Sequence, residues 1–146
     1  MFEKILFCYD GTAEGRRALK QGADIAVSMR SQTYLLAICQ GVVPSTPEAI
    51  TITPRLMNSE EEVARALMID GVRRLHEKGL EAEGALVFGD PLTHISETAT
   101  RIGADLVVLG HRQRGRLVRW WAQSPGEWLM DHLSCSVLVA VAPPEP

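Results

Sequence analysis

The chain has 146 residues, of which 46% are hydrophobic and 23% charged, the balance of one soluble folded domain with a core that needs no disulfide or metal staple. A formal net charge of -3 gives no overall pull toward nucleic acid or an anionic membrane. Three cysteines, Cys8, Cys39 and Cys135, lie in or beside apolar runs without C-x-x-C spacing, so they read as small core residues of a reducing compartment.

Met1-Phe2-Glu3-Lys4 leads straight into a strand, without a leader's basic and apolar regions, and no apolar run reaches the length of a membrane span. The expected location is cytoplasmic. Ile5 to Tyr9 is continuously apolar, as a strand covered on both faces would be. Asp10-Gly11-Thr12 then turns into a helix with Ala18, Gly22, Ile25, Ala26 and Met29 as its apolar stripe. Tyr34 to Cys39 is the second strand. Residues 40–56, with Pro44, Pro47 and Pro54, read as a long loop, and Ser59-Glu60-Glu61-Glu62 as the capping box of the second helix. Its buried face is Ala64, Leu67, Met68, Gly71, Val72 and Leu75, and Gly79 lies past its end.

Leu80 to Phe88 is the third strand, polar enough at its start for a sheet edge. Gly89-Asp90-Pro91 supplies turn, N-cap and first helical residue of the third helix, which carries Leu92, Ile95, Ala99 and Ile102 and stops at Gly103. Leu106 to Leu109 is a short, central strand. Gly110 to Gln123 has no clear period. Ser124-Pro125-Gly126-Glu127 is a second capping box, opening a fourth helix with Trp128, Leu129, His132 and Leu133 on its inner face. Val137 to Val141 is the last strand, followed by the stiff Pro143-Pro144-Glu145-Pro146. Strands alternating with helices predict a single α/β domain over residues 1–146, a doubly wound parallel sheet with helices on both faces.

In such sheets ligands gather at the carboxyl ends of the strands, where strand order reverses. Asp10-Gly11-Thr12, Cys39-Gln40-Gly41 and the loop from Gly110 should meet there. A carboxylate at one strand end facing a glycine-led loop at another suits a ribose and its phosphates. The plainer alternative is that Asp10 closes an Asx-turn and Thr12 caps the first helix.

Four segments in order carry a resemblance over essentially the whole chain: Lys4-Ile5-Leu6-Phe7-Cys8-Tyr9-Asp10-Gly11-Thr12, Gly89-Asp90-Pro91, Gly103-Ala104-Asp105-Leu106-Val107-Val108-Leu109-Gly110, and Ser134-Cys135-Ser136-Val137-Leu138-Val139. Together they resemble the universal stress protein family. The resemblance implies a five-stranded Rossmann-like sheet in order 3-2-1-4-5 and homodimers paired through the last strand. It also implies an ATP or AMP site in some members, whose nucleotide-binding branch carries Gly-x-x-Gly, nine residues, then Gly-Ser/Thr. Glycines there let backbone amides wrap the phosphates, and the hydroxyl stands at a helix N-terminus.

Here Gly110 fills the first position, Gln113 replaces the second glycine, Gln123 replaces the third, and Ser124 remains. At a position needing a positive φ, glutamine costs about 1–2 kcal/mol. Gly115 does not restore the spacing. Gly110-His111-Arg112-Gln113 instead resembles the Gly-His-His-Gln of the A-type, non-binding branch. If a nucleotide binds, its contacts are Asp10, Gly11, Thr12, Ile38, Leu109, Gly110, Arg112, Gln113, Gly115, Gln123, Ser124 and Pro125.

Arg112, Arg114, Arg116 and Arg119 with His111 make the same loop basic, as an anion clamp or as a solvated surface. Trp120 and Trp121 suit a subunit or protein contact better than base stacking, so nucleic acid is not an expected partner. His76, His94, His111 and His132 are scattered and point to no metal. With no nucleophile elbow or Walker loop, and Asp90 and Asp105 reading as helix cap and turn residue, no catalytic group emerges. The sequence therefore predicts a non-catalytic stress-response homodimer acting through protein contacts, with an adenine-nucleotide switch as the alternative.

Overall fold

Strand β1 (Lys4–Tyr9) is buried on both faces, with Ile5, Leu6 and Phe7 fully inaccessible. It is followed by α1 (Ala13–Met29), β2 (Gln32–Cys39), α2 (Pro54–Glu77), β3 (Ala82–Phe88), α3 (Pro91–Ile102), β4 (Leu106–His111) and β5 (Ser136–Val141). The computed structural model describes residues 1–39, 54–111 and 131–141. The strands form one parallel sheet in the order β3-β2-β1-β4-β5, the order the resemblance implies. β3 is an edge, as its polar start suggested, and β4 is flanked on both sides.

Side chains alternate across each strand, so the sheet builds two cores. Ile5, Phe7, Tyr9, Leu35, Ala37 and Val108 pack with Ala18, Leu19, Ala23 and Ala26 of α1 and Leu75 of α2. On the other face Leu6, Cys8, Leu36, Ile38, Val107 and Leu109 pack with Ile95 and Ala99 of α3, and Leu133 closes on them.

Three expectations change. Helix α2 begins at Pro54, so Ser59 lies inside the helix and does not cap it. Proline is well suited to that first position, because its missing N–H is one the helix would leave unpaired anyway. Met29 is 38% exposed at the end of the last turn, beside Arg30, which takes the left-handed conformation at φ 53; the buried stripe of α1 includes Leu19 and Ala23 but not Met29. His132 is exposed rather than turned inward, and Asp131–His132 is the described end of the expected fourth helix. The capping box at Ser124 and Trp128 lie outside the described residues.

Helix α1 reaches the sheet through Gly22. A Cβ there would stand 2.5 Å from Phe7 Cε1 and 3.1 Å from Val108 Cγ1, inside a ring that is itself fully buried. Gly22→Ala should destabilise the protein by about 1–2 kcal/mol, overpacking outweighing the roughly 1 kcal/mol that alanine returns in helix propensity. Urea denaturation checks this; an unchanged or raised midpoint would show that α1 stands off further than described.

Candidate functional site

The ladder between β1 and β2 runs from Lys4↔Gln32 to Tyr9↔Ala37, and that between β4 and β5 from Leu106↔Ser136 to His111↔Val141. The seam between β1 and β4 is shorter, from Ile5↔Leu106 to Phe7↔Val108. Beyond it, Cys8 and Tyr9 on one side and Leu109 and Gly110 on the other have no ladder partner across the seam. The ladder between the two strands therefore stops short of their carboxyl ends, at the point where strand order reverses and where open parallel sheets hold their ligands.

Asp10 directly follows β1 at that end of the seam, on a turn built for it. Its Oδ1 accepts from the Thr12 N–H at 3.0 Å and the Thr12 hydroxyl at 2.6 Å, and Thr12 Oγ1 in turn accepts from the Gly15 N–H at 3.0 Å. Both plainer expectations hold: Asp10 closes an Asx-turn and Thr12 caps α1. Among the described residues none donates to the other carboxylate oxygen, Oδ2, and Asp10 is half-exposed. Gly11 takes φ 81, a conformation that favours glycine, and a Cβ on it would lie 2.5 Å from Leu67 Cδ1. Ile38, Leu109 and Gly110 are buried at neighbouring strand ends. Arg112, Gln113, Gly115, Gln123, Ser124 and Pro125, like Arg114, Arg116, Arg119, Trp120 and Trp121, lie outside the described residues.

Sequence reasoning missed two polar arrangements. Tyr9, 1% exposed, donates its hydroxyl to Asp70 Oδ2 at 2.6 Å. Asp70 also takes Arg73 on Oδ1 at 2.8 Å and Arg74 on Oδ2 at 2.9 Å. The Tyr9 hydroxyl, then Arg73 and Arg74, hold the Asp70 carboxyl well below the usual range, while burial and the Asp70 bond push the Tyr9 phenol up. At the other end of the sheet Asp105 Oδ2 accepts from the Glu3 N–H at 2.8 Å and the Lys4 N–H at 2.9 Å, which lowers its pKa. Asp105 is thus a staple between β1 and β4, more than a turn residue.

The remaining candidates are placed more plainly. Asp90 occupies the N-cap position of α3, but its Oδ2 accepts from the Thr93 hydroxyl at 2.7 Å and not from a backbone N–H. His94 Nε2 sits 2.9 Å from the Phe88 carbonyl oxygen. Cys8 is a buried thiol; burial foremost, then Cys135 and Asp10, push it far above the thiol range, which makes it inert as a nucleophile. Among the described residues no group of three His, Cys, Asp or Glu side chains could hold a metal ion, and no helix is long and apolar enough to cross a membrane.

The family model described as the universal stress protein family matches residues 1–140. A universal stress protein of Synechocystis sp. is 31% identical over 143 residues, spanning 95% of this chain and 85% of that protein. The universal stress protein UspA of Lactobacillus plantarum superposes with a TM-score of 0.74 at 20% identity, covering 94% of this chain and 96% of that one. A family protein from Arabidopsis thaliana, solved with AMP bound, gives 0.65 at 19% identity over 96% and 92% of the two chains. One from Archaeoglobus fulgidus, in complex with dAMP, gives 0.65 at 14% identity over 95% and 97%. At these identities the solved structures establish the fold.

Thr12→Ala removes the cap of α1 and should cost about 1 kcal/mol in a thermal or urea melt, with Thr12→Ser close to wild type. Asp70 has a lowered pKa when folded, so its contribution is complete above the ordinary carboxylate range and is lost as pH falls below about 4. The stability gap between wild type and Asp70→Asn should therefore narrow between pH 5 and about pH 2, with Asp105 keeping some acid sensitivity in the variant. A gap that is constant with pH would contradict the ionised Asp70.

Proposed function

Because the chain belongs to the universal stress protein family, we propose that it is a non-catalytic adenine-mononucleotide-binding protein that works as a homodimer. The observation that carries this reading is the short β1–β4 seam with Asp10 at its carboxyl end. Thr12 fixes one Asp10 oxygen and the helix start behind it. The second oxygen is left to accept from a ribose hydroxyl or an exocyclic amine, and Ile38 and Leu109 bring apolar surface to the strand ends on either side.

The sequence alone put a protein-contact role ahead of nucleotide binding, because Gln113 and Gln123 stand where the binding branch has glycine. Those replacements weigh against a wrapped triphosphate, which needs backbone amides along its length. A monophosphate asks much less of that loop. Relatives of the same fold solved with AMP and with dAMP support the narrower ligand class. The non-catalytic reading is supported by what holds the reactive groups: the Cys8 proton is kept by burial, Asp10 serves the turn, and His94 is tied to a carbonyl.

The homodimer reading rests on β5. Among the described residues it pairs with β4 alone, and Val137, Leu138 and Val139 are only half-buried in the single chain. An apolar edge with unpaired amides is satisfied by a second copy across a two-fold axis.

Titration calorimetry at fixed magnesium and salt tests the ligand. AMP should bind more tightly than about 1 mM, near -4 kcal/mol, and at least as well as ATP. No AMP binding at millimolar concentration, or ATP preferred more than about tenfold, would overturn the reading. Replacing Gln113 and Gln123 together with glycine should then improve ATP binding more than AMP binding. Light scattering on a size-exclusion column should give twice the chain mass for wild type and a monomer for Val139→Pro, since proline takes a donor out of the edge ladder.

A further inference from the structure

We infer that helix α2, acting through Tyr9 and Leu67, sets the position of the Asp10–Thr12 turn, so that Tyr9 and Asp70 are positioning residues for a site they do not touch; the ligand half of this inference rests on the nucleotide reading above. Tyr9 is the last residue of β1 and directly precedes Asp10. Its side chain faces α1 and α2, the opposite side of the sheet from Cys8 and Ile38.

Two glycines make a slot for the Tyr9 ring. A Cβ at Gly15 of α1 would lie 3.3 Å from ring Cδ2, and one at Gly71 of α2 would lie 2.8 Å from ring Cδ1. The ring is therefore held between two helices, and its hydroxyl is fixed to Asp70, one residue before Gly71. Arg73 and Arg74 hold that carboxylate in turn. One turn earlier on α2, Leu67 lies over Gly11, close enough that a Cβ there would stand 2.5 Å from its Cδ1. Leu67, Asp70, Gly71 and Arg74 fall at i, i+3, i+4 and i+7, so one face of α2 touches the turn and the residue before it.

From the ring the contacts continue to the site. Gly15, whose bare Cα admits the ring, also donates its N–H to Thr12 Oγ1, and that hydroxyl donates to Asp10 Oδ1. A phenylalanine would fill the slot as well and bury no hydroxyl, so packing alone gives no reason for tyrosine. The hydroxyl fixes the ring along its own axis, and the ring fixes the distance between the α1 start and α2. Coupling of this kind is reciprocal: a ligand that immobilises the turn also protects α2.

Amide hydrogen exchange on the full-length protein, read residue by residue by NMR, tests the inference with Tyr9→Phe, Asp70→Ala and Asp70→Asn. Without nucleotide, Tyr9→Phe and Asp70→Ala should speed exchange at Thr12 and Gly15 by about three- to tenfold more than at Ile5, Leu6 and Phe7, the range expected for one hydrogen bond. Asp70→Asn keeps an acceptor for the hydroxyl and should restore most of the protection. The double variant Tyr9→Phe/Asp70→Ala should be no worse than Asp70→Ala, because both remove the same bond. AMP affinity should fall by a similar factor in Tyr9→Phe and Asp70→Ala. Unchanged exchange at Thr12 and Gly15, or a uniform rise across the sheet, would overturn the inference, as would a loosened turn with undiminished AMP affinity. If wild type binds no AMP while the local exchange pattern holds, the positioning of the turn stands and the nucleotide reading falls.

Discussion

The arrangement depends on the burial of β1 between two parallel neighbours and under helices on both faces. A parallel strand cannot reach its neighbour by a hairpin, so each connection must cross the sheet. The chain leaves β1 in one direction, through α1 to β2 and α2 to β3, and α3 then carries it back to β4 on the far side of β1. Right-handed crossovers made in opposite directions lie on opposite faces. That is why α1 and α2 share one core with Ile5, Phe7 and Tyr9, while α3 shares the other with Leu6 and Cys8. The reversal of direction also creates the seam whose ladder stops short.

That seam is fastened at one end and open at the other. At its amino end Asp105 receives the Glu3 and Lys4 amides, and Lys4 Nζ donates to the Ile102 carbonyl at 3.3 Å, close to where α3 ends at Gly103. The order of the carboxyl end rests instead on the Asp10 turn and on what packs behind it. The staple and the proposed binding site thus lie at opposite ends of the same pair of strands, with side chains at the amino end committed to backbone groups.

Much of this was legible in the sequence where the cause is local. The apolar run from Ile5 to Tyr9, the Thr12 cap, Pro91 at the first position of α3 and Gly103 at its end each depend on a few consecutive residues, and each stands where its chemistry puts it. The start of α2 was misplaced because Ser59-Glu60-Glu61-Glu62 has the composition of a capping box, yet Pro54 already opens the helix. The Tyr9–Asp70 bond joins residues 61 apart, and Asp105 reaches back 102 residues to Glu3, so no window of sequence contains either pair. Of the site, the Asp10 turn and the ends of β2 and β4 could be placed from pattern. The length of the seam could not, since it depends on how far two non-consecutive strands stay in register.

The staple at Asp105 also bears on how the chain comes into being. A polypeptide is made from its amino end, so β1 appears well before Asp105. β2 follows closely enough to cover one edge of β1 early, but the other edge has to wait for β4, about a hundred positions downstream. Through that interval Ile5, Leu6, Phe7 and Cys8 belong to a half-paired, strongly apolar strand. The central strand of the finished sheet is therefore only half-paired in the growing chain, an apolar edge open to wrong partners until β4 arrives.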